Sequence, residues 1–452
     1  MDFISNTKWQ IQEMLATIGV ERIEDLFSEI PEKLIIPRPS VDDGVSEYDG
    51  MRLMESIAAE NTAPSYDNYL GAGSYEHHVP ALVGPIISRS EFLTAYTPYQ
   101  AEASQGLLQA IFEFQSAVCG ITGLDIANAS VYNGASACVE AILMTLRVRK
   151  KRAKILISES LHPHYRAVIN QHFANTIRAG EVEIMTIPMN ASGAITPSSI
   201  SKHLNDQVAA ILLQYPSFIG RIDDLATCFS MAQENGTLSI VCANPLAYGL
   251  FQSADELGAD IAVGDLQPLG MPMQFGGPYV GYMACREALT RQMPGRLVSE
   301  TIDTQGRRGF VLALQAREQH IRREKATSNI CSNQNLTAMA ALITLLWYGP
   351  IGLKKLAITN YQRAAYLRNE LSKISSIEVI HKEEPTFNEF ILRFDKPVKD
   401  VVACFKNSGI IPGLDLSKIY KQYTNCLLVA VTETKSKEQL DRYIAAAREA
   451  TK

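Results

Sequence analysis

The chain has 452 residues, of which 46% are hydrophobic and 20% are charged, and its formal net charge is −6. That length is too great for one simple core and indicates two domains, and the acidic balance gives no reason to expect nucleic acid as a partner. The N-terminal residues are typical of neither a signal nor a transit peptide, and the sequence predicts no membrane span, so we expect a cytoplasmic protein. The eight cysteines lack metal-ligand spacing, so we expect reduced core thiols and no metal site.

Residues 1–65 are predicted to form a helical N-terminal region. Apolar residues recur at helical spacing from Ile11 to Ile18, and Gly19 ends that segment. A second helix is predicted over 46–60, and an extended connector at 35–39 precedes it.

Residues 66–104 are rich in glycine, aromatics and histidine but have no regular period. A segment this long without secondary structure is usually functional or disordered, and its many aromatic residues argue against disorder. The sequence therefore predicts an ordered, extended arm.

Alternating helices and short apolar runs then predict a large α/β domain over 105–335. The apolar runs that predict strands are 154–157, 182–187, 208–213, 238–242, 260–263 and 279–284. Runs at crossover spacing indicate a mostly parallel sheet with helices on both faces. Residues 336–452 predict a connecting helix, interrupted near Gly349 and Pro350, and a smaller α+β domain.

Three short motifs follow predicted strands or open predicted helices. Small residues at 133–136 precede a helix, where free N–H groups can bind an anion, although a capped tight turn more often explains such a pattern. His162 follows the strand at 154–157, and Asn244 follows the strand at 238–242. Open α/β sheets place their sites at this edge, but a loop histidine without a role is the commoner case.

Two further segments are notable. The loop at 264–278 is rich in glycine and proline at a strand end, and Asp265 is its only ionisable residue. The run at 317–325 carries charges of both signs, and Glu318 and Arg322 would pair on a helix because they are four residues apart. That run is typical either of a solvated face or of a subunit interface.

Several longer runs resemble the P-protein of the glycine cleavage system, glycine dehydrogenase (decarboxylating), and in particular its subunit 1 form. The resemblance is carried by RSEFLTAYTPYQ at 89–100, SQG at 104–106, FEFQ at 112–115, FGGP at 275–278 and REQHIRREKATSNIC at 317–331. It implies the fold type I architecture of pyridoxal-phosphate enzymes: an arm, a large domain with a mostly parallel seven-stranded sheet, and a small α+β C-terminal domain.

The resemblance also assigns a vestigial cofactor pocket. Its members are Asn133, Gly134, Ala135, Ser136, His162, Asn244, Gln267, Gly276 and Gly277. Gln267 takes the position of the Schiff-base lysine, because Pro272 and Pro278 follow it by five and eleven places, as two prolines follow that lysine in subunit 2. No acid is present at 242–244 to face the cofactor's pyridine nitrogen. The resemblance thus implies no catalytic residue in this chain.

The implied partners are glycine dehydrogenase subunit 2, which would hold the pyridoxal phosphate, the lipoylated H-protein, and glycine as substrate. The complex would release CO2 and transfer the aminomethyl group to the lipoyl arm. The arm residues expected to line the partner's active site are Tyr75, His77, Thr94, Tyr96, Thr97, Tyr99 and Gln100. Two alternatives remain: a regulatory or scaffold pseudoenzyme, and a self-sufficient pyridoxal-phosphate enzyme that uses another lysine, such as Lys325.

Overall fold

The structure is a computed structural model that describes residues 5–36, 40–62, 65–274 and 276–452. The chain forms two compact units, residues 1–64 and residues 65–452. Part of the predicted connector at 35–39, and Phe275 of the predicted loop, lie outside the described residues.

The N-terminal unit contains helices α1 (Lys8–Ile18) and α2 (Glu47–Ala59). Thr7 begins α1, because its side chain accepts a hydrogen bond from the backbone of Gln10, and Gly19 ends it in the left-handed conformation at φ 89°. Both predicted helices are therefore confirmed. Most apolar side chains of this unit are exposed, so its described residues enclose little core.

The arm begins with strand β1 (Asp67–Asn68) and contains two short helices, α3 (Val83–Ile87) and α4 (Ser90–Leu93). β1 pairs in parallel with Ile410–Ile411 of the C-terminal region. Before α3 the arm follows an irregular path with Tyr69, Tyr75 and His77 buried, whereas most residues after α3 are exposed or half-buried.

A seven-stranded sheet forms the centre of the large domain. Its strands are β2 (Ile126–Ala127), β3 (Lys154–Ser158), β4 (Glu183–Ile187), β5 (Val208–Tyr215), β6 (Leu238–Ala243), β7 (Ile261–Asp265) and β8 (Gly281–Cys285). The spatial order is β2-β8-β7-β6-β5-β3-β4. The strands from β7 to β4 pair in parallel, whereas β8 pairs antiparallel with both of its neighbours, β7 and β2. The fold type I architecture and its mostly parallel sheet are thus confirmed.

Helices cover both faces of this sheet. They are α5 (Gln105–Thr122), α6 (Gly134–Val148), α7 (Pro163–His172), α8 (Ala174–Arg178), α9 (Pro197–Ser201) and α10 (Leu225–Glu234). Two cores result, since Leu156 packs on one face while its neighbours Ile155 and Ile157 pack on the other. Burial of both strand faces explains why the strands are continuous apolar runs.

The chain then forms an antiparallel hairpin of β9 (Leu297–Ile302) and β10 (Arg308–Ala313), followed by the short helix α11 (Gln319–Arg322). The pairing expected between Glu318 and Arg322 is wrong, because Glu318 pairs with Arg317 at 3.3 Å instead. Residues 318–331, here called the charged segment, form turns with one helical turn.

Helix α12 (Asn335–Leu371) connects the domains and breaks at Gly349, where φ is 58° and ψ is −178°, as predicted. By length and composition alone α12 could cross a membrane, and 44% of its apolar window is buried within the protein. The small domain comprises β11 (Ile377–Ile380), β12 (Glu389–Phe394), α13 (Val398–Asn407), β13 (Ile410–Ile411), β14 (Leu414–Asp415), β15 (Cys426–Ala430) and α14 (Lys437–Ala450). Its sheet has the order β11-β12-β15-β14.

Candidate functional site

The predicted pocket forms where the parallel strands end. β7 ends at Asp265, and the N-terminus of α6 faces it at Gly134. The backbone N–H of Gly134 donates to Asp265 Oδ2 at 3.1 Å, and that of Gln267 donates to Asp265 Oδ1 at 2.9 Å. The Asn133 side chain accepts from the N–H of Ser136 at 2.9 Å, so it caps the helix. The loop predicted to form a phosphate cup therefore already binds an internal carboxylate.

Asp265 is the important pocket residue that the sequence predictions did not assign. Burial raises the pKa of its carboxyl group to about 7, and the hydrogen bonds from Gly134 and Gln267 oppose that rise. A helix N-terminus favours an anion because its free N–H groups and its dipole point outward. Asp265 thus takes one of the donors that a cofactor phosphate would need.

His162 begins α7, as the motif predicts, and its ring is enclosed by neighbours. Tyr165 stacks on it at 4.7 Å between ring centroids and 21° between planes, and Phe218 meets it edge-on at 5.0 Å. His162 Nε2 lies 2.8 Å from the Ala72 carbonyl, while Nδ1 accepts from the N–H of His164. Burial lowers the pKa of His162 to about 4, so the ring is neutral at pH 7. One of its faces is covered by Tyr165 rather than free for a cofactor ring.

Tyr165 also fills the space beside the helix terminus. A Cβ atom placed on Gly134 would lie 2.4 Å from the Tyr165 hydroxyl oxygen, a distance shorter than any normal contact. Glycine is therefore required here by close packing against a tyrosine within the chain.

Gln267 is fully buried, and both ends of its amide are hydrogen-bonded. Its Oε1 accepts from the N–H of Tyr75 at 2.9 Å, while its Nε2 donates to the carbonyls of Tyr75 at 2.8 Å and Met271 at 3.0 Å. A lysine has three donors and no acceptor, so it could not satisfy the N–H of Tyr75. The glutamine is thus matched to a structural contact with the arm.

Tyr75 continues this network into the small domain. Its hydroxyl donates to Glu389 Oε2 at 2.8 Å, and the N–H of Ala72 donates to Glu389 Oε1 at 2.7 Å. Burial raises the pKa of Glu389 to about 7. The two domains are therefore linked through one arm segment, from Gln267 by way of Tyr75 to Glu389.

The remaining predicted pocket residues have structural roles. Ala135 is buried in the first turn of α6, and Asn244 accepts from the N–H of Leu246 at 3.0 Å to begin a short turn. Gly276 is exposed and Gly277 half-buried in the loop before β8, and both have positive φ. Among the residues that the structure describes, no group of three or more histidines, cysteines or carboxylates is placed to hold a metal ion.

The arm residues predicted to line a partner's site fall into two groups. Tyr75 and His77 are buried within this chain, and His77 Nδ1 lies 2.8 Å from Glu433 Oε2. Burial would raise the pKa of Glu433, but the hydrogen bond and charge of His77 hold that pKa at about 2. Their predicted role in a partner site stays a prediction.

In the second group, Tyr99 contacts the charged segment and Tyr96 contacts the residue that follows it. Tyr96 is 71% exposed and its hydroxyl lies 3.0 Å from Ser332 Oγ, and Tyr99 is 46% exposed with its ring 5.1 Å from that of His320. The other members are the exposed Thr94 and Gln100 and the half-buried Thr97. We call Thr94, Tyr96, Thr97, Tyr99 and Gln100 the open arm.

The fold is that of the fold type I class of pyridoxal-phosphate-dependent enzymes, and at the strand ends, where such sheets place their sites, side chains of this chain fill the space. The profile of the glycine cleavage system P-protein family matches residues 1–446. The chain belongs to that family.

Individual relatives agree over the full length. The chain is 58% identical to the protein of Protochlamydia amoebophila (strain UWE25) named "Probable glycine dehydrogenase (decarboxylating) subunit 1", covering 99% of this chain and 100% of that protein. It is 46% identical to the protein of the same name from Geobacillus thermodenitrificans (strain NG80-2), covering 98% and 97%. A crystal structure of glycine decarboxylase (P-protein) of the glycine cleavage system, in inhibitor-bound form, superposes with a TM-score of 0.90 at 38% identity over 100% of both chains.

The glutamate decarboxylase of Lactobacillus brevis CGMCC 1306 shares the fold alone, with a TM-score of 0.69 at 11% identity over 93% of this chain and 95% of its own. Enzymes of this fold use pyridoxal phosphate, so the pocket can be tested against that group. The residues do not fit it: Gln267 offers no amine, Asp265 takes a donor of the phosphate cup, and Tyr165 covers His162.

Proposed function

We propose that this chain is the cofactor-free subunit 1 of a two-subunit glycine dehydrogenase (decarboxylating), and that it acts only together with a subunit 2. The observation that carries the proposal is the buried amide of Gln267, which is hydrogen-bonded to Tyr75 and Met271 and which we assign to the lysine position from the spacing of Pro272 and Pro278. An amide nitrogen is not a nucleophile for an aldehyde, so covalent cofactor chemistry must lie in the partner.

The reaction of the assembled enzyme would be decarboxylation of glycine, followed by transfer of the aminomethyl group to the lipoyl arm of H-protein. Pyridoxal phosphate, held by subunit 2, would supply the electron sink for the loss of CO2. The names of the relatives support the decarboxylating activity and the existence of a second subunit.

The open arm is the part of this chain that we assign to the partner's active site. Tyr96 and Tyr99 present aromatic faces and hydroxyl groups at the surface, where they can orient a substrate and exclude water. Thr94 and Gln100 add exposed polar groups beside them.

A self-sufficient enzyme would need another amine in the pocket. Lys325 is exposed in the charged segment, and the buried Lys435 is paired with Glu76 at 2.7 Å. Neither is hydrogen-bonded to Gln267, whose partners are Tyr75, Asp265 and Met271. A scaffold or regulatory role is distinguished from the proposal by whether subunit 2 is active without this chain.

Reconstitution tests the proposal. Exchange of CO2 with the carboxyl group of glycine, in the presence of H-protein, is measured for this chain, for subunit 2 and for their mixture. We expect activity in the mixture alone. Activity of this chain alone would support the self-sufficient alternative, and full activity of subunit 2 alone would support the scaffold alternative.

Gln267→Lys provides a sharper test of the pocket. Because Asp265 and Tyr165 still occupy the site, the variant mixed with pyridoxal phosphate should show no absorption band of a lysine-bound cofactor. Gln305→Lys, at an exposed position of the hairpin loop, is the matched control for surface lysine labelling. A band specific to Gln267→Lys would show that the pocket still accepts the cofactor.

A further inference from the structure

A cavity of about 290 Å³ lies between Tyr99 of the open arm and the charged segment. It shares no residue with the pocket formed by Gly134, His162, Tyr165, Asp265 and Gln267, here called the filled pocket. Its polar lining consists of Tyr99, Arg296, Glu318, Gln319, His320, Arg323 and Cys331. Three of these seven side chains are basic. The sequence motifs include the charged run and the arm. Arg296, which lies just before β9, is not among the predicted site residues.

Arg296 is buried yet weakly bonded. Its side chain is 7% exposed, and its two hydrogen bonds to described residues, with Asn333 Oδ1 and the Tyr99 hydroxyl, are both 3.4 Å long. Ordinary N–H···O bonds are about 2.7–3.2 Å long, and a guanidinium has five N–H donors. The Tyr99 ring, 5.6 Å from the guanidinium carbon, adds a cation–π contact. Strong acceptors for this buried cation are therefore lacking among the described protein groups.

The carboxylate in the lining does not fill that need. Glu318 pairs with Arg317 at 3.3 Å, and Arg317 also donates to the carbonyls of Met293 and Gly295. Burial raises the pKa of Glu318, and the charges of Arg317 and Arg296 oppose that rise. Since the charge of the exposed Arg323 adds to that of Arg296 at the same cavity, and the exposed His320 ring can donate a hydrogen bond, the lining favours an anion.

We propose that this cavity binds a small oxyanion, a carboxylate or phosphate group, with Arg296 as its principal ligand. The planar fork of a guanidinium matches two oxygens of either group, and burial against an aromatic ring strengthens the attraction. The Tyr99 ring contacts the Arg296 guanidinium, and the exposed Arg323 and His320 side chains interact with the anion at the mouth of the cavity. The proposal rests on the proposed function in one respect: the anion is supplied at the partner's active site, as the phosphate of its cofactor or the carboxylate of its amino-acid substrate.

The isolated chain tests the site without the partner. Thermal unfolding is followed in sodium phosphate, sodium acetate and sodium chloride at one ionic strength. We expect at least one oxyanion to raise the melting temperature of the wild type above its value in chloride, because a ligand that binds the folded state stabilises it. Arg296→Gln should abolish that rise, and Arg296→Lys should retain only part of it because lysine lacks the fork.

Arg323→Gln changes an exposed cavity residue and covers the case in which Arg296→Gln folds poorly; it should weaken anion binding less than Arg296→Gln does. Arg308→Gln, on the exposed hairpin, is the control and should respond as the wild type. An unchanged response in both Arg296→Gln and Arg323→Gln, or no response of the wild type beyond chloride, would overturn the proposal.

The reconstituted enzyme then distinguishes the two sources of the anion. If the anion is the cofactor phosphate, Arg296→Gln should raise the apparent Kd for pyridoxal phosphate about ten- to hundredfold and leave the KM for glycine unchanged. If it is the substrate carboxylate, the KM for glycine should rise by that factor instead. If neither differs from Arg308→Gln, the assignment to the partner's site is wrong. An inactive wild-type mixture with an intact anion response in the isolated chain would reject the proposed function while leaving the anion site in place.

Discussion

A tyrosine contacts the filled pocket and another lies in the open arm, but the first is buried and hydrogen-bonded whereas the second is partly exposed. Tyr75 is buried, with its hydroxyl bound to Glu389 and its backbone bound to Gln267, whereas Tyr99 is 46% exposed beside a weakly bonded guanidinium. A polar group whose bonds are satisfied inside the protein has little to offer a ligand. The difference is the one that the proposed function requires: side chains of the filled pocket stabilise this chain, while the open arm stays free to contact a partner.

The largest expected effect is on the stability of the filled pocket. Gln267→Leu should lower the free energy of unfolding by about 3–5 kcal/mol, because it leaves the N–H and C=O of Tyr75 and the carbonyl of Met271 without a partner. Urea unfolding measures the change. Gln109→Leu, exposed on α5, is the control and should change the value by less than about 0.5 kcal/mol. A loss below about 1 kcal/mol for Gln267→Leu would mean that the amide does not hold the arm.

A pair of tyrosine variants sharpens the comparison. Tyr99→Ala should lower the exchange rate of the reconstituted enzyme about tenfold or more, because aromatic contacts dominate many interfaces. It should cost the isolated chain less than about 1 kcal/mol, because only the cation–π contact and the 3.4 Å hydrogen bond with Arg296 and the ring contact with His320 are lost. Tyr75→Phe should do the reverse, costing about 1–3 kcal/mol of stability through the unpaired Glu389, with little change in rate per folded molecule. If both variants behave alike, the division into two regions fails.

The pH dependence of stability provides a third test. Asp265 and Glu389 have folded-state pKa values of about 7, raised above the values of 3.8 and 4.5 for free carboxyl groups. Between about pH 4.5 and 7 the folded state therefore binds more protons than the unfolded state, and stability should fall as the pH rises, by up to about 1.4 kcal/mol per pH unit for each group. Asp265→Asn should make this slope shallower in urea unfolding between pH 5 and 8.

Glu433 is an internal control, because folding lowers its pKa, whereas folding raises the pKa values of Asp265 and Glu389. Its pKa of about 2 lies below the free value of 4.5, so its contribution is present above pH 4.5 and is lost as the pH falls towards 2. Glu433→Gln should affect acid stability and leave the slope above pH 5 as in the wild type. A slope unaltered by Asp265→Asn would show that this carboxylate titrates normally.

The smallest expected effect belongs to Tyr96→Phe, which removes one exposed hydrogen bond to Ser332 and keeps the ring. The exchange rate of the mixture should fall less than about threefold, since such a bond contributes about 0.5 kcal/mol at the surface. Tyr48→Phe, exposed on α2, is the matched control. A tenfold loss for Tyr96→Phe would assign its hydroxyl a direct part in the reaction.

Much of the fold could be predicted from local patterns. The parallel strands read as apolar runs because both of their faces are buried, and Gly19 and Gly349 marked a helix end and a helix break. Strand β2 was not predicted because two residues carry no period. The pairing of Glu318 with Arg322 was wrong, because the buried neighbour Arg317 binds Glu318 more closely than an exposed helical partner could.

The pocket could be located but not described from the sequence. The spacing of Pro272 and Pro278 placed Gln267 in the lysine position, yet the amide's partner Tyr75 lies 192 residues away in the chain. Asp265 was visible as the only ionisable residue of its loop, but its bond to Gly134 depends on how β7 and α6 meet. Contacts between distant segments are set by packing, which local periodicity does not record.

The contact between Gly134 and Tyr165 has a consequence for which substitutions could give this chain a cofactor site. A lysine at position 267 would remove the acceptor for the Tyr75 backbone, and the cofactor would still meet the Tyr165 ring and the Asp265 carboxylate. A cofactor site in this chain therefore requires several linked substitutions, the first of which only destabilises the protein. Under the proposed function, no single substitution would free the chain from its need for a partner.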